Sequence, residues 1–233
     1  MNTQALEGHF LLLQINDSLF PIGAYSHSYG LETYIQQGIV HDEETAATYI
    51  TNRLRYNFTY TDLLAARLAY DAAAMEDIEA IHQLEDIMEA SRIPMELREA
   101  SKKLGNRFCK TLMHMEGPWH HNFFQTYLTA RKGKTTCHPC AYGVFCAANG
   151  IPRDEGLANY VYAQTSGMVT NCVKAIPISQ SSGQKILTRL HRVFAELLLR
   201  VEAADETMLC ASTPAFDLRS MEHEHLYSRL YMS

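Results

Sequence analysis

A chain of 233 residues with 47% hydrophobic and 20% charged content can bury a sizeable core without disulfide or metal staples, which excludes disordered and collagen-like classes and predicts one large domain. Its formal net charge of -6 argues against a broad nucleic-acid surface. No apolar run approaches the roughly 20 residues of a membrane span, and the short run Phe10 to Leu13 has neither a basic segment before it nor a small-residue cleavage site after it, so the expected compartment is cytoplasmic.

After that run comes the polar segment Asp17 to Glu32, DSLFPIGAYSHSYGLE. Phe20 precedes a proline and is pushed to an extended conformation, Pro21 fixes φ, and Gly23 permits backbone angles that other residues avoid. Asp17, Ser26 and Ser28 are the residue types that satisfy backbone groups at helix ends. The segment therefore reads as a polar bend between two helices, built on Asp17, Ser18, Pro21, Gly23, His27, Ser28 and Glu32. A hydrolytic reading of Asp17, Ser18, His27 and Ser28 is weaker, because neither serine stands in a G-x-S-x-G turn or has the context of an oxyanion hole.

Asp42 is placed to cap a third helix, with Glu43 and Glu44 in its first turn and Ile50 and Leu54 on its buried face. Alanine-rich stretches at 61–75 and 76–90 predict two more. Over 94–112 the apolar stripe Leu97, Ala100, Leu104, Phe108, Leu112 follows Pro94, and Arg98, Lys102, Lys103, Arg107 and Lys110 form a basic outer side. Further helices are expected at 119–130, 137–149 and 154–174, with glycines and prolines between them. The clearest amphipathic pattern is Ile186, Leu187, Leu190, Val193, Phe194, Leu197, Leu198 and Val201, in a helix over 183–201. Strand alternation is almost absent, so residues 1–212 read as an all-α, single-domain bundle of about ten helices.

From Thr213 the periodicity fades, and 213–233 reads as a tail. Leu226, Tyr227, Leu230 and Tyr231 recur at i, i+1, i+4 and i+5, so a short helix here would show one apolar face and order against a partner. Tyr227, Arg229 and Tyr231, with His223, Glu224, Leu226 and Leu230 beside them, are the expected contacts, and the alternative is a tail folded back onto its own bundle.

Three further patterns invite chemistry. Cys137, His138 and Cys140 in CHPC have zinc-type spacing but lack a second pair, and Pro139 reads simply as a first-turn residue. RKGKTT at 131–136 ends like a phosphate loop, yet Leu128 stands where that loop needs glycine, so no nucleotide is expected. EHEH at 222–225, WHH at 119–121 and MHM at 113–115 hold histidines, a ligand type that suits nickel. The six cysteines lack a secretory context and read as reduced thiols. None of these patterns is complete, so neither a cofactor nor a resident metal is expected.

Four segments, taken together, resemble the urease accessory protein F family, UreF. They are Asp17-Ser18-x-Phe20-Pro21-x-Gly23-x-Tyr25-x-His27-Ser28-x-Gly30-Leu31-Glu32; Glu96-x-Arg98-x-x-Ser101 with Gly105; His138-Pro139-x-Ala141-Tyr142-Gly143; and Met221-x-His223-Glu224-x-Leu226-Tyr227-Ser228-Arg229-Leu230. The resemblance implies an all-α, usually dimeric, non-enzymatic protein of urease maturation. It would bridge a UreD/UreH-type scaffold and the nickel-carrying GTPase UreG while nickel passes to apo-urease, with neither nucleic acid nor membrane as partner. The competing reading is a small cytoplasmic metal-buffering or metal-sensing protein that uses CHPC and EHEH.

Overall fold

The computed structural model describes residues 3–116, 122–211 and 213–233. Among them no strand occurs, and eleven α-helices make ten rods, because α3 and α4 are continuous through a π-helical stretch. The order is α1 (Thr3–Ile15), α2 (Leu31–Gln36), α3 (Glu43–Arg53), the π stretch (Leu54–Leu63), α4 (Leu64–Ala74), α5 (Ile78–Ser91), α6 (Met95–His114), α7 (Asn122–Ala130), α8 (His138–Ala148), α9 (Arg153–Ala175), α10 (Gln180–Ala203) and α11 (Pro214–His223). Among the described residues, no helix is long and apolar enough to cross a membrane.

Local chemistry explains most of the boundaries. Asp42 accepts the Thr45 amide at 2.8 Å while the Thr45 hydroxyl accepts the Asp42 amide at 3.0 Å, a reciprocal cap for α3. Asp77 and Ser179 cap α5 and α10 through the amides of Ala80 and Ser182. Between α3 and α4, the buried Thr59 hydroxyl donates to the Leu54 carbonyl at 2.7 Å, five residues back, within the wider π turn.

The core is built around α8, whose residues His138 to Cys146 are buried without exception. A helix buried on all sides needs close neighbours, and α4 supplies them with Ala65, Ala66, Ala69, Ala72 and Ala73. A Cβ on Gly143 would collide with the Ala66 carbonyl oxygen, so the two backbones are nearly in contact. The alanine-rich stretch at 61–75 is thus a close-packing surface as well as a favourable helix former. Gly105 does the same on α6, where a Cβ would strike the Thr136 carbonyl ahead of α8.

Residues 213–233 differ from expectation in two respects. The helix in this stretch is α11, Pro214–His223, and the apolar recurrence at 226–231 is not helical. The segment is also ordered on its own bundle, packing against α2 and α6, instead of waiting for a partner. The physical reason is a set of buried polar contacts, described below, that hold its backbone.

If the α4–α8 crossing depends on the missing side chain, Gly143→Ala forces the two helices apart. Overpacking of this kind costs about 1–3 kcal/mol. Urea denaturation should show a loss in that range with helical content retained, and an unchanged midpoint would show that the crossing has room to spare.

Candidate functional site

The opening bend and the C-terminal segment meet in one place. Tyr29 (φ 56) and Gly30 (φ 81) take left-handed angles in succession, a conformation that is uncommon for tyrosine and turns the chain sharply into α2. Gly30 is required on a second count, since a Cβ there would lie 2.7 Å from the Ser220 hydroxyl oxygen of α11. The Thr33 hydroxyl then donates to the Arg219 carbonyl at 2.8 Å, tying α2 to α11.

This close crossing places Glu32, in the first turn of α2, at the centre of a buried network. One carboxylate oxygen accepts the Leu230 amide at 2.7 Å, and the other accepts the Tyr231 amide at 3.0 Å. His223, the last residue of α11 and fully buried, directs Nε2 at Glu32 (3.0 Å) and Nδ1 at Glu96 of α6 (2.6 Å). Arg229 completes the chain with a 2.5 Å contact to the other Glu96 oxygen. When the imidazole carries hydrogen on both nitrogens, two carboxylates face two cations and each acceptor is matched by a donor. Glu224 adds one more link, since its carboxylate accepts the Met95 amide at 3.1 Å and so caps α6.

Beyond the network the chain runs alongside the bend. The Met232 amide donates to the Ser26 carbonyl at 2.8 Å, and the Ser233 carbonyl accepts the amides of Ser28 (2.5 Å) and Tyr29 (2.9 Å). His27 Nδ1 meets the Ser233 hydroxyl at 2.9 Å, and burial pushes its imidazole below the ordinary histidine value. Arg53 lies over the Tyr29 ring at 4.5 Å and the Phe216 ring at 5.3 Å.

Of the bend residues, Gly23 (φ 84) supplies its left-handed turn and Asp17 accepts the Leu19 amide at 2.7 Å, while Ser18 and Pro21 are exposed. Gly23 has open space around it, so its conformation and not crowding requires glycine there. Ser26 donates to the Gly23 carbonyl, and the Ser28 hydroxyl is buried without a partner among the described residues. Neither Ser18 nor Ser28 is hydrogen-bonded to His27, so the hydrolytic reading has no geometry behind it. Of the residues expected to contact a partner, His223 and Tyr231 are buried in the chain itself, Glu224 and Leu226 are half-buried, and Tyr227, Arg229 and Leu230 are exposed.

Comparison with known proteins places the chain in a family. The UreF family model matches residues 40–191. The chain is 37% identical over 222 residues to "Urease accessory protein UreF" of Actinobacillus pleuropneumoniae serotype 5b (strain L20), covering 95% of this chain and 97% of that protein. The proteins of the same name from serotype 3 (strain JL03) and from Actinobacillus pleuropneumoniae without a stated serotype are 37% and 36% identical over the same span. This chain belongs to the UreF family. Three of the four segments that resemble UreF in sequence thus supply the network around Glu32, through Glu32, Glu96 and the His223–Leu230 stretch.

The remaining patterns fall elsewhere. RKGKTT is a helix–helix connection with Gly133 at φ 80, and WHH lies outside the described residues. His114 of MHM is exposed and faces the Lys110 carbonyl at 2.6 Å. In CHPC, burial pulls His138 down to about 4, so its ring is neutral, and it packs against Phe108 and Tyr160. Sequence reasoning missed Glu96 as the second partner of His223. It also missed the half-buried Asp62–Arg92 pair at 2.9 Å. Burial alone would raise the Asp62 carboxyl, but the Arg92 guanidinium, together with the Thr61 hydroxyl and Arg53, holds it below the usual range.

Glu32→Gln keeps the shape of the side chain but removes the charge opposite His223. Breaking one partner of a buried pair typically costs about 3–5 kcal/mol. The loss should fall on the C-terminal segment, with faster hydrogen exchange at Leu230 and Tyr231 and early carboxypeptidase cleavage, while α8 and α10 stay protected. Exchange that rises uniformly through the chain, or not at all, would show that Glu32 does not hold this segment.

Proposed function

We propose that the chain is a non-catalytic adaptor of urease maturation, acting in the cytoplasm as a homodimer. It bridges a UreD/UreH-type scaffold and the UreG GTPase while nickel is delivered to apo-urease. The observation that carries this reading is the docked C-terminal segment. Its backbone is fixed by Glu32, yet Tyr227 is fully exposed and Leu230 is 75% exposed. A fixed backbone that presents bare aromatic and aliphatic side chains is a ready recognition element, since little ordering entropy remains to be lost on binding.

Other features support the same reading. Phe10, Leu13 and Leu19 expose further apolar surface near the N-terminus, a face suited to a second copy. All six cysteines are free thiols, the state that a reducing cytoplasm maintains. The metal-buffering reading loses the EHEH half of its case, because both nitrogens of His223 are already engaged by carboxylates.

The scaffold surface is therefore assigned to Tyr227, Leu230 and Arg229, with His223 and Tyr231 acting from below to hold them in place. The double variant Tyr227→Ala, Leu230→Ala should leave the far-UV spectrum unchanged and cut co-purification with the UreD/UreH-type scaffold by at least about tenfold, as expected when anchor side chains are lost. Urease activation in cells should fall with it. Scaffold recovery at wild-type yield would overturn the assignment of this surface.

A further inference from the structure

A second buried cluster lies away from the docked segment. Glu85 of α5 is only 2% exposed; its carboxylate accepts the Tyr127 hydroxyl at 2.5 Å and the Cys137 amide at 2.8 Å. Two such bonds leave acceptor positions on the carboxylate free. Cys137 immediately precedes α8 and Cys140 lies in its first turn. One Glu85 oxygen and the two sulfurs all lie within 4.8 Å of one another.

We propose that Glu85, Cys137 and Cys140 form a binding site for one thiophilic divalent cation of the zinc class. Tetrahedral zinc takes sulfur at about 2.3 Å and carboxylate oxygen at about 2.0–2.2 Å, so the three atoms need to converge by only on the order of 1 Å, within reach of side-chain rotation. Burial raises both thiols above the ordinary cysteine value, Cys140 well above it, so it is the bound cation, with the start of α8 behind it, that would hold the two sulfurs as thiolates. Burial likewise raises the Glu85 carboxyl, and the charges of Arg92 on Cys137 and Arg131 on Glu85 oppose the effect of burial only in part. Binding releases the two thiol protons to solvent, so charge and atoms balance.

A second observation bears on the fourth position. A narrow cleft between α5 and α6, lined by Arg92, Ser101 and Thr136, reaches Glu85 and Cys137, two of the three ligands. Ser101, 5% exposed, lines it with a hydroxyl that has no hydrogen-bond partner among the described residues. A buried hydroxyl is rarely left unpaired, and a water completing a four-coordinate site would pair it. The third ligand thus comes from α5, and His138, turned into the aromatic core, takes no part.

The test uses the full chain, reduced and stripped of metal with a chelator. Titration with Co²⁺ should give a thiolate-to-cobalt charge-transfer band that saturates at one equivalent and is displaced by one equivalent of Zn²⁺. Cys140→Ala should abolish the band, Glu85→Gln should weaken affinity at least about tenfold, and Cys172→Ala, at a separate buried thiol, should change nothing. Should the first two variants fail to fold, X-ray absorption of the zinc-loaded wild-type protein decides, with two sulfur and two oxygen or nitrogen neighbours expected. No band, a band surviving Cys140→Ala in a folded protein, or a zinc shell of oxygen and nitrogen alone would overturn the site. None of these outcomes depends on whether the chain bridges a scaffold and a GTPase.

Discussion

The burial of the Glu32 carboxylate is the constraint on which much of the molecule depends. A charge out of water is tolerated only when it is paired and hydrogen-bonded, and every partner Glu32 has comes from the far end of the chain. Because His223 is shared with Glu96, the start of α6 is drawn into the same arrangement. Four elements therefore stand or fall together: displacing any one would strand a buried charge on another. The tight features nearby follow from this. Gly30 is bare because α2 must approach α11 closely enough for Glu32 to reach His223, and the left-handed angles of Tyr29 hold because the surrounding contacts fix them.

A second constraint, the burial of α8 on every side, shapes the rest. Its neighbours must come close or leave voids, which explains the alanines of α4 and the glycines at 143 and 105. The two constraints meet on α6. Its first turn carries Glu96 into the network around His223, and further along it Ser101 and Gly105 face the approach to α8 beside Cys137. A rigid helix of 20 residues thus connects the docked segment to the thiol cluster.

What the sequence disclosed tracks how local the physics is. The stripes of α6 and α10 and the cap at Asp42 were legible because a 3.6-residue period and a capping residue act within one or two turns. The all-α class follows from such signals, and the UreF resemblance from the four motif segments. The C-terminal segment was misjudged because nothing within it says that it is ordered; the carboxylate that fixes Leu230 and Tyr231 lies 198 and 199 residues away. The surroundings of CHPC were hidden in the same manner. The spacing of Cys137, His138 and Cys140 put the histidine beside the thiols, but α8 turns it into the aromatic core and folding brings Glu85 from 52 residues upstream. Alanine at 61–75 announced a helix without announcing a close crossing, because high helix propensity and small size are one side chain's two properties.

On the adaptor reading, the docked segment also constrains how a partner could use it. A partner that takes Tyr227 and Leu230 while leaving the backbone in place gains their apolar surface and disturbs none of the buried polar contacts. A partner that lifts the segment must instead satisfy Glu32, His223 and Glu96 with donors and acceptors of its own, or let water reach all three. The first course costs little and the second is steeply unfavourable unless the partner is itself polar and well matched at those positions. Binding to the docked form is thus the lower-energy course. The same reasoning gives the buried charges a role that stability alone would not require: an apolar core at this place would hold the segment equally well, but it would let the segment slide in register, whereas Glu32 accepts two specific amides and so fixes which side chains face outward.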